Sequence, residues 1–72
     1  MLVKVRDLYS NKFIYIGEAH VNDIAEAIRN KASKIDDRYY IEVFVNGKQI
    51  GAFMFDDNKW LSEELRKILN RN

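Results

Sequence analysis

Residues 39–55 read YYIEVFVNGKQIGAFMF, with runs of β-branched and aromatic residues on both sides of Asn46-Gly47. Both positions of a two-residue type I′ turn need positive φ, and Asn-Gly is among the dipeptides that adopt this turn most readily. The segment therefore predicts a β-hairpin with strands at Tyr39–Val45 and Lys48–Phe55.

The short turn also predicts which side chains share a face, because directly opposed residues of a hairpin point the same way. Pairing outward from Val45 and Lys48 without interruption matches Val43 with Ile50 and Tyr40 with Phe53. One face is then aliphatic and suited to packing under helices: Ile41, Val43, Val45, Ile50, Ala52 and Met54. The other face carries Tyr40, Glu42, Phe44, Gln49, Gly51, Phe53 and Phe55.

The remaining segments alternate between strand and helix patterns. Leu2–Tyr9 and Phe13–Ala19 alternate in the manner of a first hairpin around a polar turn. Apolar residues at helical spacing predict helices over about Asp23–Lys34 and Lys59–Asn70. The order β-β-α-β-β-α indicates one α+β domain spanning residues 1–72, with a four-stranded antiparallel sheet and two helices on one face.

The first hairpin divides into two faces in the same way as the second. Its aliphatic residues Val3, Val5, Ile14 and Ile16 are expected to join the core. The opposite face receives Lys4, Arg6, Leu8, Phe13 and Tyr15.

Several polar segments are interpreted as connections and caps. Ser33 to Arg38 is polar apart from Ile35 and predicts an irregular connection. Asp23, with Glu26 three residues later, predicts a capping box at the start of the first helix. The carboxylate pairs Asp36-Asp37 and Asp56-Asp57 are interpreted as turn and cap residues. The two halves of the chain also align weakly at an offset of 37 residues, which could reflect an internal duplication or merely two amphipathic helices.

Composition favours a cytoplasmic protein and gives no sign of an extreme electrostatic role. The chain has 12 Lys+Arg against 11 Asp+Glu and no Cys. Small secreted domains usually need disulfides, and no segment has the length or apolarity of a membrane span. A near-zero net charge argues against the strongly basic surface of non-specific nucleic-acid binders.

The sequence contains no recognisable catalytic or metal-binding constellation. His20 is the only histidine, and no nucleophile or further metal ligand stands at a suitable spacing. We therefore expect no enzymatic activity and no cofactor. Trp60 is expected to pack at the edge of the second helix, with an interface anchor as the alternative.

The aromatic sheet face is the candidate functional surface. Its predicted contact residues are Tyr15, Tyr40, Phe44, Phe53, Lys4 and Arg6. Monomeric proteins rarely expose so large an apolar patch, which leaves three explanations. Part of the chain could cover the face; the face could bind another protein or a second copy; or its aromatics could stack on nucleic-acid bases.

The segment from Val45 to Ala52, followed by Phe55-Asp56, resembles a hairpin of a small phage-encoded anti-CRISPR protein that inhibits type I-F complexes. The resemblance covers about a dozen of the 72 residues and implies no particular binding residues. It suggests a non-catalytic inhibitor of a bacterial defence complex, encoded by a phage or mobile element. A small nucleic-acid-binding domain is the alternative.

Overall fold

The structure, a computed structural model, describes residues 1–71. Its elements are β1 (Leu2–Asp7), β2 (Lys12–Glu18), α1 (Val21–Lys31), β3 (Lys34–Ile35), β4 (Arg38–Val45), β5 (Lys48–Asp56) and α2 (Leu61–Asn70). The α+β class and the β-β-α-β-β-α order predicted from the sequence are confirmed, and β3 is a short addition.

All five strands form one antiparallel sheet in which β1 and β4 are the central pair. β2 pairs with the outer edge of β1, and β5 pairs with β4 along its whole length. The other edge of β4 pairs with β1 through residues 41–45 and with the two-residue β3 through residues 38 and 39. The sheet therefore runs β2-β1-β4-β5, with β3 beyond the end of β1.

The strand β3 forms where an irregular connection was predicted. Asp36 and Asp37 have φ values of 52° and 59°, the positive values that a type I′ turn requires. They join Ile35 to Arg38 as direct partners. The interpretation of this aspartate pair as turn residues is confirmed, but the turn closes a third hairpin.

Both helices pack on the same face of the sheet and form one core with it. α1 contributes Ile24, Ala25 and Ile28, and α2 contributes Leu61, Leu65 and Leu69. The buried strand residues of this core are Val3, Val5, Ile14, Tyr39, Ile41, Val43, Val45 and Phe55. The amphipathic stripes predicted for the two helices are thus confirmed as core, except for Ile35, which was predicted in the first stripe but lies exposed in β3.

A β-bulge in the second hairpin overturns the uninterrupted register. The Asn46-Gly47 turn and the pairs Val45–Lys48 and Phe44–Gln49 are as predicted, but Val43 then pairs with Gly51 instead of Ile50. The one-residue shift moves every later side chain of β5 to the other face. Phe53 and Phe55 therefore lie on the helix side, and Ala52 and Met54 lie on the opposite side.

A second bulge corrects the first hairpin. Val5 pairs with Tyr15 and Arg6 with Phe13, so Ile14 is the additional residue of β2. Tyr15 consequently packs against the core, whereas it was predicted on the opposite face. Ile16, predicted in the core, is 62% exposed opposite Lys4.

The helix starts also differ from the sequence prediction. α1 begins at Val21 with His20 as its N-cap, and no side chain caps it, so the capping box at Asp23 is wrong. α2 begins at Leu61 after Trp60. Its first turn carries Glu63 and Glu64, which favourably oppose the positive end of the helix dipole.

Asp7 is a fully buried carboxylate that links the first turn to the end of α1. Its Oδ2 accepts hydrogen bonds from the Ser10 N–H at 3.2 Å, the Ser33 N–H at 3.2 Å and the Ser33 hydroxyl at 2.9 Å. Burial alone would raise the pKa of the Asp7 carboxyl. The hydrogen bonds from Ser10 and Ser33 outweigh that effect and hold the pKa below its ordinary value of 3.8.

Asp57 fixes the loop between β5 and α2 from outside the core. Its Oδ2 accepts a hydrogen bond from Lys34 Nζ at 2.9 Å, and Arg29 Nε lies 3.8 Å from its Oδ1. Hydrogen bonds from Lys34 and Tyr39 keep the pKa of Asp57 below its ordinary value.

Across residues 1–71, no helix has the length and apolarity to cross a membrane.

Candidate functional site

The sheet surface opposite the helices, called the open face below, carries most of the exposed apolar side chains. The register places these side chains on it: Leu2, Lys4, Arg6, Phe13, Ile16, Tyr40, Glu42, Phe44, Gln49, Ala52 and Met54. Leu8 and Tyr9 extend it beyond the end of β1. Phe13 is 48% exposed and Met54 is 51% exposed, so the helices do not cover this surface.

A buried ion pair lies at the centre of the open face. Glu42 is only 9% exposed; one of its oxygens binds the Arg6 guanidinium, and the other accepts a hydrogen bond from the Gln49 side chain. Arg6 and Glu42 are direct partners on β1 and β4. The pair is thus built into the register of the two central strands, and each charge neutralises the other.

Two phenylalanines flank the Arg6 guanidinium. Its Cζ lies 5.8 Å from the ring centroid of Phe13 and 6.0 Å from that of Phe44, and the two rings are 5.9 Å apart. Cations at this distance are attracted to aromatic faces. Within residues 1–71, the buried Nε of Arg6 has no hydrogen-bond acceptor.

A second aromatic pair forms the end of the open face near β3. Tyr9 meets Tyr40 edge to face, with ring centroids 5.3 Å apart and an interplanar angle of 82°. Leu8, Tyr9 and Tyr40 line a shallow depression of about 180 Å³. Met54 is the direct partner of Tyr40 on β5, so apolar contacts are available across this whole end.

Four of the six predicted contact residues lie on the open face. Lys4, Arg6, Tyr40 and Phe44 are among its side chains. Tyr15 and Phe53 are not, because the bulges turn both toward the helix side, where they pack against the core.

The sequence reasoning missed three residues of the open face by assigning them to the core. These are Ile16, Ala52 and Met54. Gly51 was the available signal, since a glycine inside a strand often marks a bulge. The bulge at Ile14-Tyr15 contains no glycine, and no residue type there distinguishes it.

The open face has little net charge despite its polar centre. Arg6 is paired with Glu42, and at the rim Arg38 Nε lies 3.2 Å from Asp56 Oδ1. The terminal ammonium is likewise paired with Glu18 at 3.2 Å. Lys4 is the one cation of the face that forms no ion pair with another residue in the range 1–71.

The other sequence candidates lie away from this surface. His20 is exposed at the start of α1, with its Nδ1 3.9 Å from Asp23 Oδ2. Trp60 is 53% exposed before α2, and Lys59 Nζ lies 5.0 Å from its ring centroid. Among the described residues, no three His, Cys, Asp or Glu side chains are grouped so that they could hold a metal ion.

Comparisons with protein-family models, with curated proteins and with solved structures found no match. The open face is therefore the basis for the functional argument.

Proposed function

We propose that this chain is a non-catalytic protein-binding module whose contact surface is the open face. The observation that carries the proposal is the concentration of exposed apolar side chains there. Leaving a large apolar side chain in water forfeits roughly 1.5–3 kcal/mol relative to burial. That cost is large beside the few kcal/mol of stability available to a domain of this size. A protein partner that covers the face recovers it.

The chemistry of the open face matches that of protein interfaces. Aromatic residues, Met and Arg are the residue types enriched in interface cores, and Phe13, Tyr9, Met54 and Arg6 supply them here. The central Arg6–Glu42 pair gives such an interface charged groups at a fixed position among apolar side chains. Desolvated charge pairs at interfaces contribute to specificity more reliably than to affinity.

The first heterologous partner to test is a type I-F CRISPR complex, because the second hairpin resembles that of an anti-CRISPR protein. The chain would then be a phage or mobile-element inhibitor that acts in the bacterial cytoplasm. Binding of the purified complex with at least micromolar affinity is expected. Absence of binding would remove this partner without removing the open face as a protein-binding surface.

A nucleic-acid partner is the second candidate, and the observation favouring it is the exposed Phe13 ring on the same face as Lys4. Base stacking on such rings accompanies phosphate contacts that weaken steeply with salt. With Arg6 and Arg38 both paired to carboxylates, we expect no binding of single-stranded RNA or DNA even at low salt. Salt-sensitive binding in a fluorescence-anisotropy titration would reverse the order of the two candidates.

The test of the open face compares Met54→Lys with Trp60→Lys. The two side chains are almost equally exposed, at 51% and 53%, but only Met54 lies on the open face. Partners captured by the immobilised chain should be retained by Trp60→Lys and lost from Met54→Lys, with circular dichroism unchanged in both. Loss from Trp60→Lys alone would move the contact surface to the start of α2.

A further inference from the structure

The open face has an ordered pattern across its four long strands. In the order β2-β1-β4-β5, one row consists of Phe13, Arg6, Glu42 and Ala52. From β2 to β5, the four side chains are in turn large, positively charged, negatively charged and small. The side chains on β2 and β1 therefore complement those on β5 and β4 in size and charge.

A second copy can use this complementarity through a twofold axis. The axis runs parallel to the strands, between the two faces and midway between β1 and β4. It exchanges β1 with the partner's β4 and β2 with the partner's β5. Arg6 then lies over the partner's Glu42, and Phe13 lies over the partner's Ala52.

The neighbouring row consists of Ile16, Lys4, Phe44 and Gln49. Its outer residues, Ile16 and Gln49, do not complement one another, but its central pair does. The same axis places the Lys4 ammonium over the ring of the partner's Phe44, a cation–π arrangement. Among residues 1–71 Lys4 forms no ion pair, so the contact gives its ammonium a partner.

We infer that the open face pairs with the open face of a second copy of this chain, in a face-to-face homodimer with Arg6 over the partner's Glu42 and Phe13 over the partner's Ala52. The inference rests on the proposed function, because it identifies the first occupant of the same surface.

The charges at the centre of the open face also favour a second copy. Two Arg6 and two Glu42 side chains form a neutral, alternating cluster at the centre, so no like charges meet there.

The size of the open face sets the expected affinity. Four strands about 4.8 Å apart and roughly seven residues long present a surface of about 20 by 23 Å. That is a flat area of about 460 Å², which is smaller than the roughly 800 Å² per partner that stable interfaces bury. We expect a reversible dimer with a Kd between about 1 and 100 µM.

A double-mutant cycle tests the inferred contact between Phe13 and the partner's Ala52. Within one chain the two residues are three strand spacings apart, about 14 Å, so any coupling between them is intermolecular. Phe13→Ala removes the large side chain, and Ala52→Phe fills the small site. Each alone should weaken dimerisation about tenfold in sedimentation equilibrium, which corresponds to about 1.4 kcal/mol. The double variant should recover most of that loss.

A wild-type chain that remains monomeric at about 0.5 mM would overturn the inference. So would a double variant in which the losses of dimerisation free energy of the two single variants simply add. Met54→Lys, which changes an exposed side chain, provides a second route to the monomer if either aromatic variant is poorly folded. A monomeric wild type whose captured partner is still lost in Met54→Lys would overturn the homodimer and leave the proposed function standing.

Discussion

Among single residues, Asp7 is expected to contribute strongly to stability without any part in the open face. Replacing it by Asn keeps the size but removes the charge that accepts hydrogen bonds from Ser10 and Ser33. With the Asn carbonyl oxygen in the place of Oδ2, the amide nitrogen becomes a donor that faces the Tyr9 N–H. Hydrogen bonds to a charged group contribute about 1.5–3 kcal/mol. We therefore expect Asp7→Asn to lower the free energy of unfolding by roughly 2–3 kcal/mol in urea denaturation.

The same carboxylate makes stability depend on pH in a known direction. Because the pKa of Asp7 is lowered in the folded state, its contribution is complete above the pKa of the unfolded chain. It is lost as the pH falls through the lower, folded value. The free energy of unfolding of the wild type should thus decrease as the pH is lowered below about 4. The decrease should be less steep for Asp7→Asn. Parallel pH profiles for the two proteins would contradict this role.

The sequence does not indicate the role of Asp7. Asp7 follows Val3 and Val5 in the two-residue alternation that places side chains on the core side of β1. At such a position the pattern predicts an apolar residue. The partners of Asp7 are contributed by the turn after β1 and by Ser33, 26 residues away. A contact of this kind depends on the end of α1 meeting the first hairpin, which no local pattern specifies.

Among the elements, the two bulged edge strands decide which side chains form the open face. The turn at Asn46-Gly47 was predictable from two residues because the turn chemistry is local. The register beyond Phe44 was not, because Ile50 and Gly51 together oppose Val43. One additional residue moves Ala52 and Met54 to the open face and Phe53 under the helices.

Gly51 is the residue that permits the bulge in β5. Its φ is 157°, and a Cβ added there would lie 2.8 Å from Cζ of the Phe53 ring. Backbone strain of this kind costs about 1–3 kcal/mol per residue. We expect Gly51→Ala to reduce the free energy of unfolding by about 2–3 kcal/mol, because the contact with Phe53 adds to the strain.

Gly47→Ala is the matched control for Gly51→Ala. Gly47 also has positive φ, at 83°, but a Cβ there would meet no atom within 4 Å. Its substitution should cost only the backbone strain, about 1 kcal/mol. Equal losses in the two variants, measured by urea denaturation, would show that Phe53 does not restrict the bulge.

For the molecule as a whole, the sequence specified the class and order of elements because each long element carries its own periodicity. The hairpin strands alternate between the two faces of the sheet, and each helix has a single apolar stripe. Both patterns remain recognisable when the predicted ends of an element are wrong by one or two residues. Face membership is more sensitive, since a one-residue bulge reverses it. Lys4, Arg6, Tyr40 and Phe44 were placed correctly because they lie on strands without an additional residue.

The two ββα halves meet along β1 and β4, and their bulges lie at corresponding positions. One bulge opposes Val5 and the other opposes Val43, and these valines are direct partners at the centre of the sheet. This correspondence supports an internal duplication better than the weak sequence alignment does. The inferred homodimer uses a different property of the open face, the complementary size and charge of its two halves.

The most direct measurement of the central claim is a concentration series of amide and methyl NMR spectra. Between about 20 µM and 1 mM, a dimer with a Kd near 100 µM passes from about one quarter to about four fifths of the chains associated, and a tighter dimer begins correspondingly nearer completion. Signals of Phe13, Phe44, Ala52 and Met54 should shift together along one binding curve, while those of Trp60 and the exposed helix surfaces stay fixed. Shifts that cluster around Trp60, or spectra that do not change with concentration, would contradict the open face as the surface through which this chain meets its own copy.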